Sequence, residues 1–254
     1  MDPIDDGRVA IETADGIATI SFGHPKGNSL PGAILNQLAE TVTAAGRDPA
    51  ASVIVLRSTG TGPFCAGASF DELRSITTPA QGQQFFSGFA KVILAMIRSP
   101  KFILVRAHGK AAGGGVGLIA AGDWAIGTSG SAIKLSELAV GIGPFVVGPV
   151  IEKKIGLGAF AALSVDADWR TAEWALHQGL YAEVAQSVAT MDHALDQRAR
   201  WLAGCSPAAM TELKKVFWSG TDHWDELLSA RAGISGSLVL TVPARTAIAK
   251  AGSR

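Results

Sequence analysis

The 254-residue sequence has no excess of either charge: 22 acidic residues stand against 22 basic ones. Net charge therefore gives no argument for nucleic acid or for an acidic membrane surface as a partner. Cysteine is scarce. Cys65 and Cys205 cannot make a disulfide framework, and reduced thiols in a cytoplasmic protein are the simpler reading, with a single bridge as the alternative. Residues 1–6 are acidic and lack an apolar core, which argues against a signal peptide. No uncharged apolar stretch is long enough to span a membrane. The histidines, His24, His108, His177, His193 and His223, lack metal-ligand spacing, so no metal is expected. The length allows one large domain or two small ones, with ample material for a core.

Glycine, in contrast, is plentiful, and it clusters. Ala111-Ala112-Gly113-Gly114-Gly115-Val116-Gly117 lies between an apolar, β-branched run, Phe102-Ile103-Leu104-Val105-Arg106-Ala107, and an apolar, helix-like run, Leu118-Ile119-Ala120-Ala121. Glycine lets the backbone turn sharply and approach a ligand closely. The N–H groups at a helix start favour a negative ligand. Three readings follow. One is a phosphate cradle, since Gly115 to Ala120 fits G-x-G-x-x-A with Glu137 twenty residues beyond Gly117. Residues 107–112 nevertheless separate the strand from the turn. Another is a donor for an oxygen that becomes negative during a reaction. The third is close helix packing alone.

Along the chain, residues 9–13 and 17–22 alternate around Ala14-Asp15-Gly16 and read as a β-hairpin. Ser29 is a candidate cap for a helix with Ile34, Leu38 and Val42 on one face. Residues 52–57 read as a buried strand. A second glycine-rich loop follows, from Ser58 through Phe64-Cys65-Ala66-Gly67-Ala68-Ser69-Phe70. The helix from Pro79 carries Phe85, Phe86, Phe89, Ile93 and Met96 as a core stripe. Residues 123–127 and 132–135 read as short strands, the second ending at Ser136-Glu137. Later segments read as helical, with a helix end at Ile155-Gly156, a cap at Thr171 and three final helices over 187–203, 207–218 and 222–235. Strand, glycine-rich turn and helix recur, which favours an α/β architecture of stacked ββα turns.

The two glycine loops, with Ser136-Glu137-Leu138, Gly141 and Pro144 and the segment Thr171 to Leu180, resemble the crotonase family, also called the enoyl-CoA hydratase/isomerase superfamily. The resemblance spans nearly the whole chain. It implies a crotonase-type ββα spiral core over residues 1–200 and a C-terminal helical oligomerisation region over 201–254. It also implies a homotrimer or dimer of trimers, and an acyl-CoA substrate with coenzyme A as part of it rather than as a separate cofactor. By motif, the thioester oxygen would be held by the N–H groups of Ala66 and Gly114. Lys26, Ala66 and Ala68 would contact the rest of coenzyme A, and Glu137 would be the catalytic acid or base.

The sequence also departs from the family pattern. Many hydratases of the family carry a second glutamate three residues after the oxyanion glycine, where this chain has Gly117. In this it resembles bacterial methylglutaconyl-CoA hydratase-like members. Three outcomes stay open: hydration of a 2-enoyl-CoA by a lyase, migration of a double bond by a Δ3,Δ2-enoyl-CoA isomerase, or acyl-CoA binding with weak chemistry. Asp71, Glu72 and His108 are candidate helpers. Their plainer readings are a solvated helix start and a structural histidine. Cys65 reads as a packing residue, because a nucleophile would need a base beside it.

Overall fold

Alternation decides the first two strands. β1 (Arg8–Ala14) and β2 (Ile17–Gly23) pair antiparallel around Asp15 and Gly16, whose φ values of 51° and 75° suit a tight hairpin turn. This computed structural model describes residues 7–251, so the acidic start at 1–6, read as no signal peptide, lies outside the described residues.

From β2 onward one unit repeats: a strand of the main sheet, a very short strand, then a helix. β2 is followed by β3 (Ser29–Leu30) and α1 (Gly32–Arg47). β4 (Val53–Ser58) is followed by β5 (Gly67–Ala68), α2 (Phe70–Ser75) and α3 (Pro79–Arg98). β6 (Ile103–Ala107) leads to β7 (Ala111–Ala112) and α4 (Gly114–Ala121). β8 (Trp124–Thr128) leads to β9 (Ala132–Lys134), a 3₁₀ turn at Leu138–Val140 and α5 (Gly148–Asp166). β10 (Arg170–Thr171), α6 (Ala172–His177) and β11 (Glu183–Ala185) close the series.

The main sheet runs β1-β2-β4-β6-β8-β11, parallel in every pair after the hairpin. The short strands form a second layer, β10-β9-β7 and β3-β5, joined by a bridge between Cys65 and Ala111. The expected α/β spiral of ββα turns is therefore present, and its short strands carry the loops of interest.

Strand period explains the two cores. Ile54, Leu56, Ile103 and Val105 face α1 and α3 in the larger core. Val53, Val55, Leu104 and Ile126 point the other way, onto Met191, Leu195 and Ala199 of α7 (Val188–Ala203). Strands buried on both faces read as continuous apolar runs.

Some expectations need correction. Ser29 does not cap α1; it is the first residue of β3. The first amide of the helix, Gly32 N–H, donates instead to Glu72 Oε2 at 2.7 Å. The helix end expected at Gly156 is a kink (φ 79°, ψ 158°) between two helical pieces that run on to Asp166. Thr171 does cap α6, accepting from Trp174 N–H at 3.2 Å. Cys65 and Cys205 are both free thiols, so there is no bridge.

Beyond α7 come α8 (Pro207–Phe217), α9 (Trp224–Leu238) and α10 (Val242–Ala251), the last not anticipated. α8 is tied to the sheet by a buried ion pair: Lys214 Nζ lies 2.8 Å from Asp123 Oδ2, and Asp123 also accepts from Ile103 N–H (2.7 Å) and Trp218 Nε1 (3.0 Å). α9 crosses α3 where Gly236 meets Gly82. A Cβ on Gly236 would lie 2.4 Å from the Gln83 nitrogen.

Candidate active site

Three consecutive ββα turns contribute one loop each. The first is pinned by Asn28, in the left-handed region at φ 57°. Its side-chain amide donates to the carbonyls of Thr59 (3.1 Å) and Pro63 (2.9 Å). In this loop the Ala66 N–H is already engaged, donating to the Gly27 carbonyl at 3.2 Å. Three residues on, Ser69 N–H donates to the Leu30 carbonyl at 3.1 Å. In a parallel ladder adjacent residues turn their N–H groups to opposite sides, so the residue before Ser69 faces the other way. Ala68, paired with Leu30, thus directs its N–H away from β3.

The second loop turns at Gly113 (φ 52°, ψ −116°), a conformation open to glycine. α4 starts at Gly114, whose N–H falls in the first turn and has no acceptor among the described residues. A Cβ on Gly67 would lie 3.6 Å from the Gly114 nitrogen, so the two loops abut. The third loop brings Glu137. Its Oε1 would lie 3.0 Å from a Cβ on Gly113, so a side chain there would collide with the carboxylate.

Ala68, Gly114 and Glu137 line one cavity of about 70 Å³. Phe86, Phe89, Ile142 and Val147 make most of its remaining wall apolar, and Ser235 of α9 closes one part. Phe86 and Phe89, expected as core stripe, thus serve both core and cavity. Glu137 is the one ionisable side chain on the lining among the described residues. The residue as a whole is partly exposed, but Oε2 is sealed from solvent and has no hydrogen-bond partner. Burial pushes the carboxyl up from 4.5 to about 7, and the nearby backbone of Glu137 and Ser136 offsets this only in part.

The other candidates lie elsewhere. Lys26 is exposed and pairs with Asp71, which also pairs with Arg74. These two cations hold the Asp71 carboxyl below its usual range. Glu72 is occupied at the start of α1. His108 is buried outside the cavity lining, its basicity lowered by burial and then by Arg106. The Cys65 thiol is buried and pushed up to about 12, which suits packing rather than nucleophilic attack.

The glycines after 114 are packed, not open. A Cβ on Gly115 would lie 2.6 Å from the Cys65 carbonyl oxygen, and one on Gly117 would lie 2.6 Å from Val147 Cγ1. A phosphate cradle built on Gly115 and Gly117 has no room here.

Sequence reasoning did not find Val147, Ser235 or the orientation of the Ala68 amide. Only the last had a local signal, in the small residues around Gly67.

The profile of the enoyl-CoA hydratase/isomerase family matches residues 12–235. The chain belongs to this family. Its similar proteins include ethylmalonyl-CoA decarboxylase of Danio rerio, 24% identical over 88% of this chain and 76% of the other. Crotonyl-CoA hydratase of Syntrophomonas wolfei is 26% identical over 70% of this chain and 69% of the other. A Rhodococcus jostii hydrolase of a hexahydroindene-carboxyl-CoA is 28% identical, and there the match spans 52% of this chain and 51% of the relative. Among solved structures, enoyl-CoA hydratase of Bacillus halodurans superimposes with a TM-score of 0.88 at 18% identity, covering 95% of this chain and 99% of that one. An enoyl-CoA hydratase of Mycobacterium avium gives 0.85 at 24% identity, covering 100% and 98%. The shared architecture is the crotonase fold. A hydratase, a decarboxylase and a hydrolase among the relatives mark a family of CoA-thioester enzymes whose members differ in reaction.

Proposed function

We propose that the protein adds water reversibly to a short 2-enoyl-CoA, with coenzyme A as part of the substrate. The observation that carries this reading is the sealed Glu137 carboxyl, poised near neutrality in an apolar cavity between two glycine loops.

In this reading the thioester oxygen accepts hydrogen bonds from the N–H groups of Gly114 and Ala68. Ala68 replaces Ala66 as donor, because the Ala66 amide is held by Gly27. Each donor aimed at a developing oxyanion is worth about 2.7–4 kcal/mol. The Glu137 carboxylate takes a proton from water as the water oxygen bonds to C3. The π electrons of the C2–C3 bond move to the thioester oxygen as an enolate. The enolate collapses as protonated Glu137 returns the proton to C2, and the carboxylate is restored. A group with pKa near the working pH serves both halves of this cycle. Lys26, exposed beside the loop that holds Ala66, is assigned to the coenzyme A end of the substrate, with Ala66 and Ala68 along the way. The C-terminal region 201–254, in which Trp201 and Phe217 are exposed, is assigned to assembly into a trimer or dimer of trimers.

A second reading, migration of a double bond from C3 to C2, is favoured by one observation. Val147 fills the space beyond Gly117, so the cavity holds a single acid, and a 1,3-proton shift asks for no more. Incubation with crotonyl-CoA and with 3-butenoyl-CoA separates the readings. Loss of the enoyl absorbance of crotonyl-CoA supports hydration. A gain of that absorbance from 3-butenoyl-CoA supports isomerisation. Binding of both without turnover overturns both.

A further inference from the structure

We propose that the Ser235 hydroxyl holds the oxygen that is added to, or lost from, C3 of the acyl chain, making Ser235 the residue that selects 3-hydroxyacyl over saturated acyl thioesters. The inference rests on the hydration reading above and names a substrate contact that reading leaves open.

Ser235 lies in α9, far along the chain from the three glycine-rich turns, yet it lines the same cavity as Glu137. It is 1% exposed, and its hydroxyl makes no hydrogen bond among those of the described residues. A serine in a helix ordinarily satisfies itself on the carbonyl four residues back. Ser237, two positions further along the same helix, does so, donating to the Gly233 carbonyl at 3.1 Å. Ser235 does not. A buried polar group left unpaired is costly, so an unpaired hydroxyl on a cavity wall calls for a ligand partner.

Its placement is enforced rather than incidental. Gly82 and Gly236 let α3 and α9 cross with backbone against backbone, since a Cβ on Gly82 would lie 2.6 Å from the Gly236 Cα. That crossing seats the neighbouring residue, Ser235, in the wall. α3 supplies Phe86 and Phe89 to the same wall.

The chemistry fits an oxygen that changes partners. A serine hydroxyl both donates and accepts. It can accept from the attacking water while Glu137 takes the other proton, and donate to the hydroxyl of the product. It has no acid–base role at neutral pH, so the proton bookkeeping stays with Glu137. The cavity, at about 70 Å³, has room for several waters at about 10–15 Å³ each. The remaining wall offers an oxygen at C3 little besides Ser136, which is next to Glu137 in the chain.

The test is the affinity of the full-length protein for 3-hydroxybutyryl-CoA and for butyryl-CoA, by calorimetry, with crotonyl-CoA hydration measured on the same preparations. The wild type is expected to prefer the 3-hydroxy compound by about fivefold, the worth of one neutral hydrogen bond. In Ser235→Ala that ratio falls toward one and kcat/KM for hydration falls by a similar factor, while Ser235→Thr retains both. If Ser235→Ala fails to fold, Ser235→Cys, with a weak donor of similar size, carries the same expectation. A wild-type ratio of one, or a preference that survives loss of the hydroxyl, overturns the Ser235 assignment and leaves the role of Glu137 standing. Failure of the wild type to bind either thioester overturns the acyl-CoA reading itself, and this assignment with it.

Discussion

Val147 occupies the space into which a side chain at Gly117 would grow: a Cβ there would lie 2.6 Å from Val147 Cγ1 and 2.9 Å from its Cβ. Gly117 is where two-glutamate members of the family carry their second acid, and in this chain the vacancy is filled by packing. Gly117→Glu therefore gains no hydration activity. It lowers the thermal midpoint, since overpacking a core costs about 1–3 kcal/mol before any penalty for burying the carboxylate. Val147→Ala in the same chain recovers part of that loss. A Gly117→Glu protein as stable as wild type and faster on crotonyl-CoA would show that Val147 yields.

The two neighbouring alanines of the first loop separate by substitution. Ala68→Pro removes an N–H that the β3–β5 ladder does not use, and turnover falls by about 10²–10³-fold with the fold retained. Ala66→Pro removes the N–H that binds the Gly27 carbonyl, so its main effect is on the melting of the loop. Turnover and thermal midpoint, measured on both variants, distinguish a donor from a structural amide. Equal turnover in Ala68→Pro and wild type would remove Ala68 from the site.

How much of this was legible depends on how long each signal runs. β4 and β6 announce themselves because both faces are buried, giving Val53-Ile54-Val55-Leu56 and Ile103-Leu104-Val105. β3 and β5 are two residues each, too short for any period to show, and one of them sets the direction of the Ala68 amide. Ser29 suggests a helix cap, but the helix's first amide, Gly32 N–H, is met by Glu72, forty residues beyond Gly32. The catalytic reading of Glu137 comes only through resemblance to a family motif, since its spacing from Gly117 suggests a phosphate cradle instead; an isolated glutamate near a strand end is ordinary. Ser235 and Val147 are unremarkable locally and reach the cavity through tertiary contacts alone.

Glu137 also makes stability depend on pH. Its folded pKa of about 7 stands above the 4.5 of the free side chain. Between these values the folded state holds a proton that the unfolded state has released, so stability falls as pH rises through about 7 and is flat above it. Glu137→Gln lacks this term. The thermal midpoint of the variant minus that of wild type therefore grows from about pH 5 to about pH 8. A constant difference across that range would mean that the carboxyl is not buried as described.

The C-terminal helices are knit into the sheet at Asp123. Lys214→Met removes the cation that hydrogen-bonds that buried carboxylate, leaving Lys154 as the nearby charge, and breaking such a pair costs up to about 3–5 kcal/mol. The remaining donors, Ile103 N–H and Trp218 Nε1, soften the loss. Denaturant unfolding is the measurement. A change within about 0.5 kcal/mol, the range of an ordinary surface substitution, would show that the pair contributes little.

The most direct measurement of the whole account is the turnover of crotonyl-CoA by Glu137→Gln, set beside its affinity for butyryl-CoA. Glutamine keeps the size and much of the hydrogen bonding of the side chain but cannot carry the proton. The account predicts that kcat and kcat/KM fall together by about 10²–10⁴-fold while butyryl-CoA affinity and folding are preserved. A folded variant that binds the thioester normally and turns over within about threefold of wild type would contradict it, because Glu137 would then not be the group that moves the proton.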